Sequence, residues 1–172
     1  TNRFLRQALT DGCTMAVMET SSQAIDLHRC DWLRFKVAVF TNLTRDHLDY
    51  HETMENYFDA KKKLFDGRLG EPPGSCVINI DDEWGLALAD ELRANGRRVI
   101  TFSQNTDADL TAENIEVSLV RGTSFELRTP AGTCSITSPL VGKPHVYNML
   151  AATGVALELG VDLAAVEKGL SV

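Results

Sequence analysis

The residues best suited to chemistry lie in the segment Arg45–His51, whose sequence is RDHLDYH. It places two carboxylates, Asp46 and Asp49, beside two imidazoles, His47 and His51. Side chains of these types in one short loop can bind a metal ion or exchange protons with a substrate. The loop is therefore a candidate metal or catalytic site. Asp46 and Asp49 also suit Asx turns that cap the loop, and we favour that structural interpretation for these two residues.

A lysine in an unusual position follows this loop. Thr53 is a suitable N-cap for a helix that continues to Phe65. At about 100° per residue, Lys61 falls at the centre of the apolar stripe of this helix, and Lys62 and Lys63 are predicted to point away from it. The stripe consists of Met54, Tyr57, Phe58, Leu64 and Phe65. An ammonium group on an apolar stripe is costly unless it is paired, discharged or chemically changed.

Two interpretations of Lys61 remain open. Its methylene stem can cover apolar surface while the ammonium group reaches water. Alternatively, a depressed pKa leaves a neutral amine that could react with carbon dioxide to form a carbamate, an anionic oxygen donor suited to a hard cation such as Mg²⁺. The histidine- and aspartate-rich loop just upstream favours the second interpretation.

A second polar segment lies near the start of the chain, in the sequence METSSQAIDLHR from Met18 to Arg29. Glu19 follows a short apolar stretch predicted to be a strand, and the carboxyl ends of strands are where open α/β sheets bind ligands. Ser21 and its neighbours then begin a helix, where hydroxyl and free N–H groups can hold an anion. The alternative is that such a hydroxyl only caps the helix, and for any single hydroxyl we favour this structural interpretation.

The pattern of the whole chain predicts an α/β fold, a mostly parallel sheet flanked by helices with a small antiparallel β-meander. Parallel strands are predicted near residues 14–18, 37–41, 75–80 and 98–102, and the antiparallel sheet from about 109 to 138. Helices are predicted at 2–10, from Asp81 or Asp82 to Asn95, at 146–159 and at 163–170. Within one domain we distinguish a parallel α/β part at 1–103, the meander at 104–140 and C-terminal helices at 141–172.

Composition limits the possible partners. The 172 residues carry a net charge of −7, which argues against nonspecific binding to nucleic acid or to an anionic membrane surface. No apolar run is long enough to span a bilayer, and no signal peptide opens the sequence. The four cysteines are scattered without a C-x-x-C pair, as is typical of reduced thiols in a cytoplasmic protein.

The two polar segments together resemble a known family. TNLTRDHLDYH, followed by ME, Y and AK, is similar to the central domain of the Mur ligases, and METSSQAIDLHR resembles a second segment of the same family, most closely in its MurE branch. The resemblance implies part of an ATP-dependent ligase that adds the third amino acid to UDP-N-acetylmuramoyl-dipeptide during peptidoglycan synthesis. In such ligases ATP converts a carboxylate into an acyl phosphate, which the amine of the amino acid attacks.

The resemblance also implies roles for particular residues. Glu19 and His47 match ligands of two Mg²⁺ ions, and Lys61 matches a carbamylated lysine that acts in catalysis with His47 and helps hold the second ion. Ser21 and Arg29 match positions that contact the UDP-N-acetylmuramoyl-peptide, although Arg29 also reads as an ordinary surface arginine. The nucleotide-binding positions correspond to His145 and Asn148.

Departures from the family pattern affect these assignments. Gln23 stands where histidine is usual, Leu27 where many MurE chains have a glutamine that binds substrate, and His145 where asparagine is commoner. No G-x-x-x-x-G-K-[ST] motif occurs in the chain, so we expect the 172 residues alone to lack ligase activity. The alternatives are a folylpolyglutamate- or cyanophycin-type ligase, a metallo-hydrolase built on the RDHLDYH loop, and a non-catalytic binding domain.

Overall fold

The structure is a computed structural model that describes residues 2–31 and 33–171. Its Cα positions form two compact units. The first, called here the helical unit, comprises Thr1–Arg34 and Arg45–Pro72, and the second, called the sheet unit, comprises Phe35–Thr44 and Pro73–Val172. Among the described residues, no helix is both long and apolar enough to cross a membrane.

The sheet unit is built on one mixed sheet of six strands arranged in the order of the sequence. The first four strands are parallel neighbours, and the last three form an antiparallel meander. The strands are β1 (Val37–Phe40), β2 (Ser75–Asn79), β3 (Val99–Ser103), β4 (Leu110–Ser118), β5 (Gly122–Thr129) and β6 (Gly132–Ser138). All five residues of β2 are buried, as predicted for this strand.

Three helices cover this sheet: α5 (Glu83–Ala94), α6 (Lys143–Glu158) and α7 (Leu163–Leu170). A Cβ at Gly154 would lie 2.7 Å from the Val77 side chain, so α6 packs on the sheet face that Val77 occupies. A Cβ at Gly85 would lie 2.0 Å from the carbonyl oxygen of Asn79 and 3.3 Å from the Phe40 ring. Because Phe40 pairs in register with Ile78, and neighbouring residues of a strand point to opposite faces, α5 packs on the other face.

The helical unit contains α1 (Asn2–Thr10), α2 (Ser22–Asp26), α3 (Leu48–His51) and α4 (Met54–Asp66). The predicted caps are confirmed: the Ser21 hydroxyl accepts the N–H of Ala24 at 3.1 Å, and Thr53 accepts that of Asn56 at 3.1 Å. Ile25, Cys30 and Leu69 form a small apolar cluster in this unit. This cluster and the contacts of α2 and α3 with α4 hold the unit together.

Most predicted elements are confirmed, with four differences. The predicted strand at residues 14–18 is wrong, because this segment pairs with no strand among the described residues and Val17 is 92% exposed. The antiparallel strands extend the parallel sheet instead of forming a separate one, since Phe102 and Ser103 pair with Leu110 and Thr111. For the same reason β4 begins at Leu110, five residues before Ile115, where the sequence pattern predicts the first strand of the meander. Helix α6 begins at Lys143, because Pro144 occupies its first turn, where a missing N–H costs nothing.

Candidate functional site

The two polar segments meet inside the helical unit. Ser22 begins α2 and His51 ends α3, and His51 Nε2 lies 2.8 Å from Ser22 Oγ in a hydrogen bond. Both side chains are buried: Ser22 is 2% exposed and His51 is 5% exposed. A hydrogen bond between two buried polar groups 29 residues apart fixes the start of α2 against the end of α3.

The His47 side chain stands at the edge of this assembly. His47 is the N-cap of α3 and has a left-handed backbone with φ of 54°, a conformation that histidine adopts more readily than most residues. Its backbone N–H donates to Asp46 Oδ1 at 2.7 Å, and its Nε2 lies 3.7 Å from Asp46 Oδ2. The imidazole is 44% exposed and can therefore reach a ligand in solution. Asp46 thus supports the turn, as we expected for this carboxylate.

Tyr57 on α4 contacts the main candidate residues. Its ring stacks on His51 with centroids 4.9 Å apart and meets the ring of His47 edge-on at 5.9 Å. The ammonium group of Lys61, one turn later, lies 5.2 Å from the centre of the same ring, within the range of a cation–π contact. Burial raises the pKa of the Tyr57 hydroxyl, and the charge of Asp46 raises it further, so the phenol is neutral at pH 7.

Lys61 itself is half-buried on this face of α4. The predicted stripe is confirmed at Tyr57 and Phe65, which are buried beside it. Lys63, which is predicted to point away from the stripe, has a side chain that is only 24% exposed, and its Nζ donates to Asp26 Oδ1 at 2.6 Å. This contact with α2 was not predicted.

Asp26 and Lys63 border a polar cavity that sequence reasoning missed. The cavity has a volume of about 440 Å³, and its walls are polar side chains of α2, α3 and α4 together with Glu52, namely Asp26, Tyr50, His51, Glu52, Asn56, Asp59 and Lys63. The hydrogen bond from Lys63 lowers the pKa of Asp26, and that from the Tyr50 hydroxyl lowers it as well. Asp26 stands in the METSSQAIDLHR segment, and this position is the only signal that the sequence offered.

His51 is a neutral imidazole in this environment. Burial lowers its pKa, and the nearby charges of His47 and Lys61 lower it further, while those of Asp26 and Asp49 act in the opposite direction. Its ring lies between Tyr57 and Tyr50, whose centroid is 4.7 Å away. A buried neutral imidazole held in this way is suited to orienting its neighbours.

The remaining candidates of the helical unit have simpler surroundings. Glu19 and Arg29 are exposed, and Ser21 is the N-cap of α2, the structural use that we considered for it. Among the described residues, no three His, Cys, Asp or Glu side chains come close enough together to hold a metal ion. A metal ion at Glu19 or His47 would therefore need further donors, such as the oxygens of a carbamate or of phosphate groups.

The two nucleotide candidates lie in the sheet unit, at the start of α6. His145 is half-buried and Asn148 is exposed. Between them, the Tyr147 hydroxyl donates to Asp81 Oδ2 at 2.9 Å, and the same carboxylate accepts the N–H of Gln104 and the hydroxyl of Ser103, both at 2.7 Å. Asp82, not Asp81, caps α5. The carboxylate of Asp81 thus joins the beginning of α6 to the ends of β2 and β3, which the sequence did not reveal.

Comparison with known proteins gives a consistent result. A sequence model described as the Mur ligase middle domain matches residues 1–156. The UDP-N-acetylmuramoyl-L-alanyl-D-glutamate–2,6-diaminopimelate ligase of Gloeobacter violaceus is 45% identical over 169 residues, which are 98% of this chain and 33% of that protein. The ligase of the same name from Bacillus licheniformis is 40% identical over 173 residues, 98% of this chain and 34% of that protein.

A solved structure of a protein with the same ligase name gives a TM-score of 0.84 at 32% identity and covers 94% of this chain and 33% of its own. The chain therefore spans about a third of the length of the relatives that it matches.

Proposed function

This chain belongs to the Mur ligase family through its match to the middle domain, and from that premise we propose that it is the central part of an ATP-dependent ligase of the MurE type. The proposed ligase adds the third amino acid to UDP-N-acetylmuramoyl-L-alanyl-D-glutamate in peptidoglycan synthesis. Its location is the cytoplasm, where ATP is available. The names of the relatives from Gloeobacter and Bacillus support 2,6-diaminopimelate as the amino acid.

One geometric observation carries this proposal. His47 and Lys61, the two residues proposed to act in catalysis, both contact the Tyr57 ring, at 5.9 Å and 5.2 Å from its centre. One side chain thereby sets the positions of both a histidine and a lysine that the sequence separates by a helix. Such shared support is what a site needs if its groups are to meet a substrate without rearrangement.

The proposed chemistry proceeds in two steps. A substrate carboxylate oxygen attacks the γ-phosphorus of ATP, the bond to the β-phosphate oxygen breaks, and an acyl phosphate and ADP form. The amine of the amino acid then attacks the acyl carbon, and phosphate leaves with the oxygen that joined it to that carbon. Bound Mg²⁺ would supply charge neutralisation for the anionic reactants. Glu19 is the proposed protein ligand of one ion, and His47 and a Lys61 carbamate are those of the second.

The residues of this chain have distinct parts in the proposal. Arg29 presents an exposed guanidinium that can hold a phosphate or carboxylate of the muramoyl substrate in a bidentate contact. Ser21, in the same segment of the sequence, is the second proposed contact to this substrate. His145 and Asn148 present donors toward the nucleotide at the start of α6. Lys61 is half-buried beside the Tyr57 ring, and the proposed carbamate would form when its unprotonated amine reacts with carbon dioxide.

The test is a direct assay of the full-length protein that contains this chain. It is incubated with ATP, Mg²⁺, UDP-N-acetylmuramoyl-L-alanyl-D-glutamate and either diaminopimelate or lysine, and phosphate release and product mass are measured. We expect amino-acid-dependent phosphate release with diaminopimelate. Hydroxylamine in place of the amino acid should trap the acyl phosphate as a hydroxamate. No product with either amino acid would refute the proposed function.

A further inference from the structure

The strongest unassigned feature of the helical unit is the buried side chain of His51. It hydrogen-bonds to Ser22 Oγ at 2.8 Å and stacks on Tyr57 with an angle of 12° between the rings. Its backbone carbonyl accepts the N–H of Thr53 at 2.8 Å and the side-chain amide of Asn56 at 3.0 Å. Both its ring and its backbone are therefore held in place, and none of the roles proposed above uses it.

The contacts of His51 form a continuous path between two parts of the unit. On one side, Ser22 is the first residue of α2 and follows Ser21 directly. On the other side, the stacked Tyr57 ring contacts His47 and the ammonium group of Lys61. The path Ser22–His51–Tyr57 thus joins a proposed substrate-binding turn to the two proposed catalytic groups.

We propose that His51 is a positioning residue, which fixes Ser22 through its hydrogen bond and fixes His47 and Lys61 through its stack on Tyr57. This inference rests on the proposed function, because the groups that it positions are those of the proposed ligase site. An imidazole meets both requirements: it offers a ring nitrogen to a hydroxyl and a flat face to a phenol. A purely apolar ring would leave the Ser22 hydroxyl buried without this partner.

Two substitutions separate the two contacts. His51→Phe keeps a ring to stack on Tyr57 and removes the hydrogen bond to Ser22, whereas His51→Gln keeps a hydrogen-bonding nitrogen and removes the ring. Ser22→Ala removes the same hydrogen bond from the other side. Leu69→Ala, in the apolar cluster of the same unit, is the control for lost stability, because Leu69 lies among the contacts of Ile25 and Cys30.

The experiment measures kcat and KM of the full-length enzyme for the muramoyl substrate, corrected for the folded fraction. We expect His51→Phe and Ser22→Ala each to lower kcat/KM by about 10- to 100-fold, the usual loss when a supporting contact behind a site is removed. The double variant should be no worse than either single one, and His51→Gln should recover part of the loss. The inference would be overturned if kcat/KM of His51→Phe lay within twofold of the wild-type value, or if its loss equalled that of Leu69→Ala.

A second measurement does not depend on activity. In protein with isotopically labelled histidine, the imidazole signals of His47 should shift in His51→Phe and stay in place in Leu69→Ala. Unmoved His47 signals in His51→Phe would contradict the inference. A wild-type enzyme without ligase activity would instead refute the proposed function, and the His47 signals would then decide the positioning role by themselves.

Discussion

Asp26 on α2 and Lys63 on α4 form an ion pair with 2.6 Å between Oδ1 and Nζ, across 37 residues of sequence. The other oxygen of the same carboxylate accepts the hydroxyl of Tyr50 on α3 at 3.1 Å. One carboxylate thereby connects three short helices. Because α2 has only five residues, it is far too short to be stable alone and depends on such contacts.

The first prediction concerns this ion pair. Asp26→Asn and Lys63→Met should each lower the free energy of unfolding by about 0.5–1 kcal/mol, a modest amount because both side chains remain partly exposed. Urea unfolding measures the change. In a double-mutant cycle the two losses should be less than additive. Asp90→Asn, at an exposed aspartate of α5, is the control. An equal loss of stability in that variant would contradict a stabilising role of the Asp26–Lys63 pair.

The second prediction concerns pH and the ion pair between β3 and α6. Arg98 Nε and Nη2 donate to the Glu158 carboxylate at 2.6 and 2.7 Å, and the Glu158 side chain is only 8% exposed. The hydrogen bonds from Arg98 lower the pKa of Glu158 from its ordinary value of 4.5. A carboxyl whose pKa is lower in the folded state stabilises the protein above the unfolded pKa, and this stabilisation is lost as the pH falls through the folded value.

Urea unfolding at several pH values between about 3 and 7 tests this pair. The wild type should lose stability as the pH falls below 4.5, and Glu158→Gln should flatten that loss. At pH 7, Arg98→Met should lower the free energy of unfolding more than Glu158→Gln does, because it leaves a nearly buried carboxylate without that partner. A Glu158→Gln profile parallel to the wild type would contradict the assignment.

The third prediction compares two helical glycines. Gly85→Ala should lower the free energy of unfolding by about 2–3 kcal/mol, because the new Cβ would lie 2.0 Å from the backbone oxygen of Asn79 and force α5 away from β2. Gly169→Ala on α7 is the matched control, since nothing lies within 4 Å of its added Cβ. That variant should gain about 0.5–1 kcal/mol from helix propensity. Thermal unfolding of both variants distinguishes a steric clash at Gly85 from an effect common to any glycine-to-alanine change in a helix.

Sequence reasoning succeeded where the determinants are local. Thr53 and Ser21 were identified as caps because a cap depends on residues two or three positions away. The strand β1 was identified from its continuous apolar run, because a buried parallel strand is apolar on both faces. The stretch Thr14–Met18 has the same appearance and is not a strand, since a strand exists only with a hydrogen-bonded neighbour, which its own residues do not specify.

The candidate site shows the same limit. Clustering in the sequence identified His47, and helical periodicity identified Lys61. The contacts of Ser22 with His51 and of Asp26 with Lys63 depend on how separate helices pack, and no local pattern encodes them. The pairing of Lys63 with Asp26 was missed for this reason: periodicity describes one helix and omits the helix packed against it.

The fourth prediction is that this 172-residue chain binds Mg²⁺–ATP weakly. The sequence contains no G-x-x-x-x-G-K-[ST] motif, whose backbone N–H groups and lysine would cradle the phosphates. Gly142-Lys143-Pro144 cannot replace it, because a proline follows the lysine where the motif needs a hydroxyl. Isothermal titration calorimetry should detect no binding at micromolar nucleotide, and a micromolar dissociation constant would contradict the prediction.

The last prediction concerns Lys61 in the full-length enzyme. Its half-buried position over the Tyr57 ring is compatible with a lysine that only covers apolar surface and with one that carries a carbamate. We predict the carbamate, since the His47 side chain contacts the same ring and a carbamate at Lys61 could share a hard cation with it. Labelled bicarbonate should therefore give a carbamate carbon signal in the wild type that is absent from Lys61→Ala.

The same substitution should lower kcat by about 10²- to 10³-fold, the usual loss when one charge-stabilising group is removed. Acetate or formate should restore part of the activity, because a small carboxylate can occupy the space of the missing carbamate. Lys62→Ala, one position along α4, should keep both the signal and the turnover. If Lys61→Ala turned over normally, Lys61 would be a surface lysine whose stem covers Tyr57. His47 would then be the one remaining residue proposed to act in catalysis.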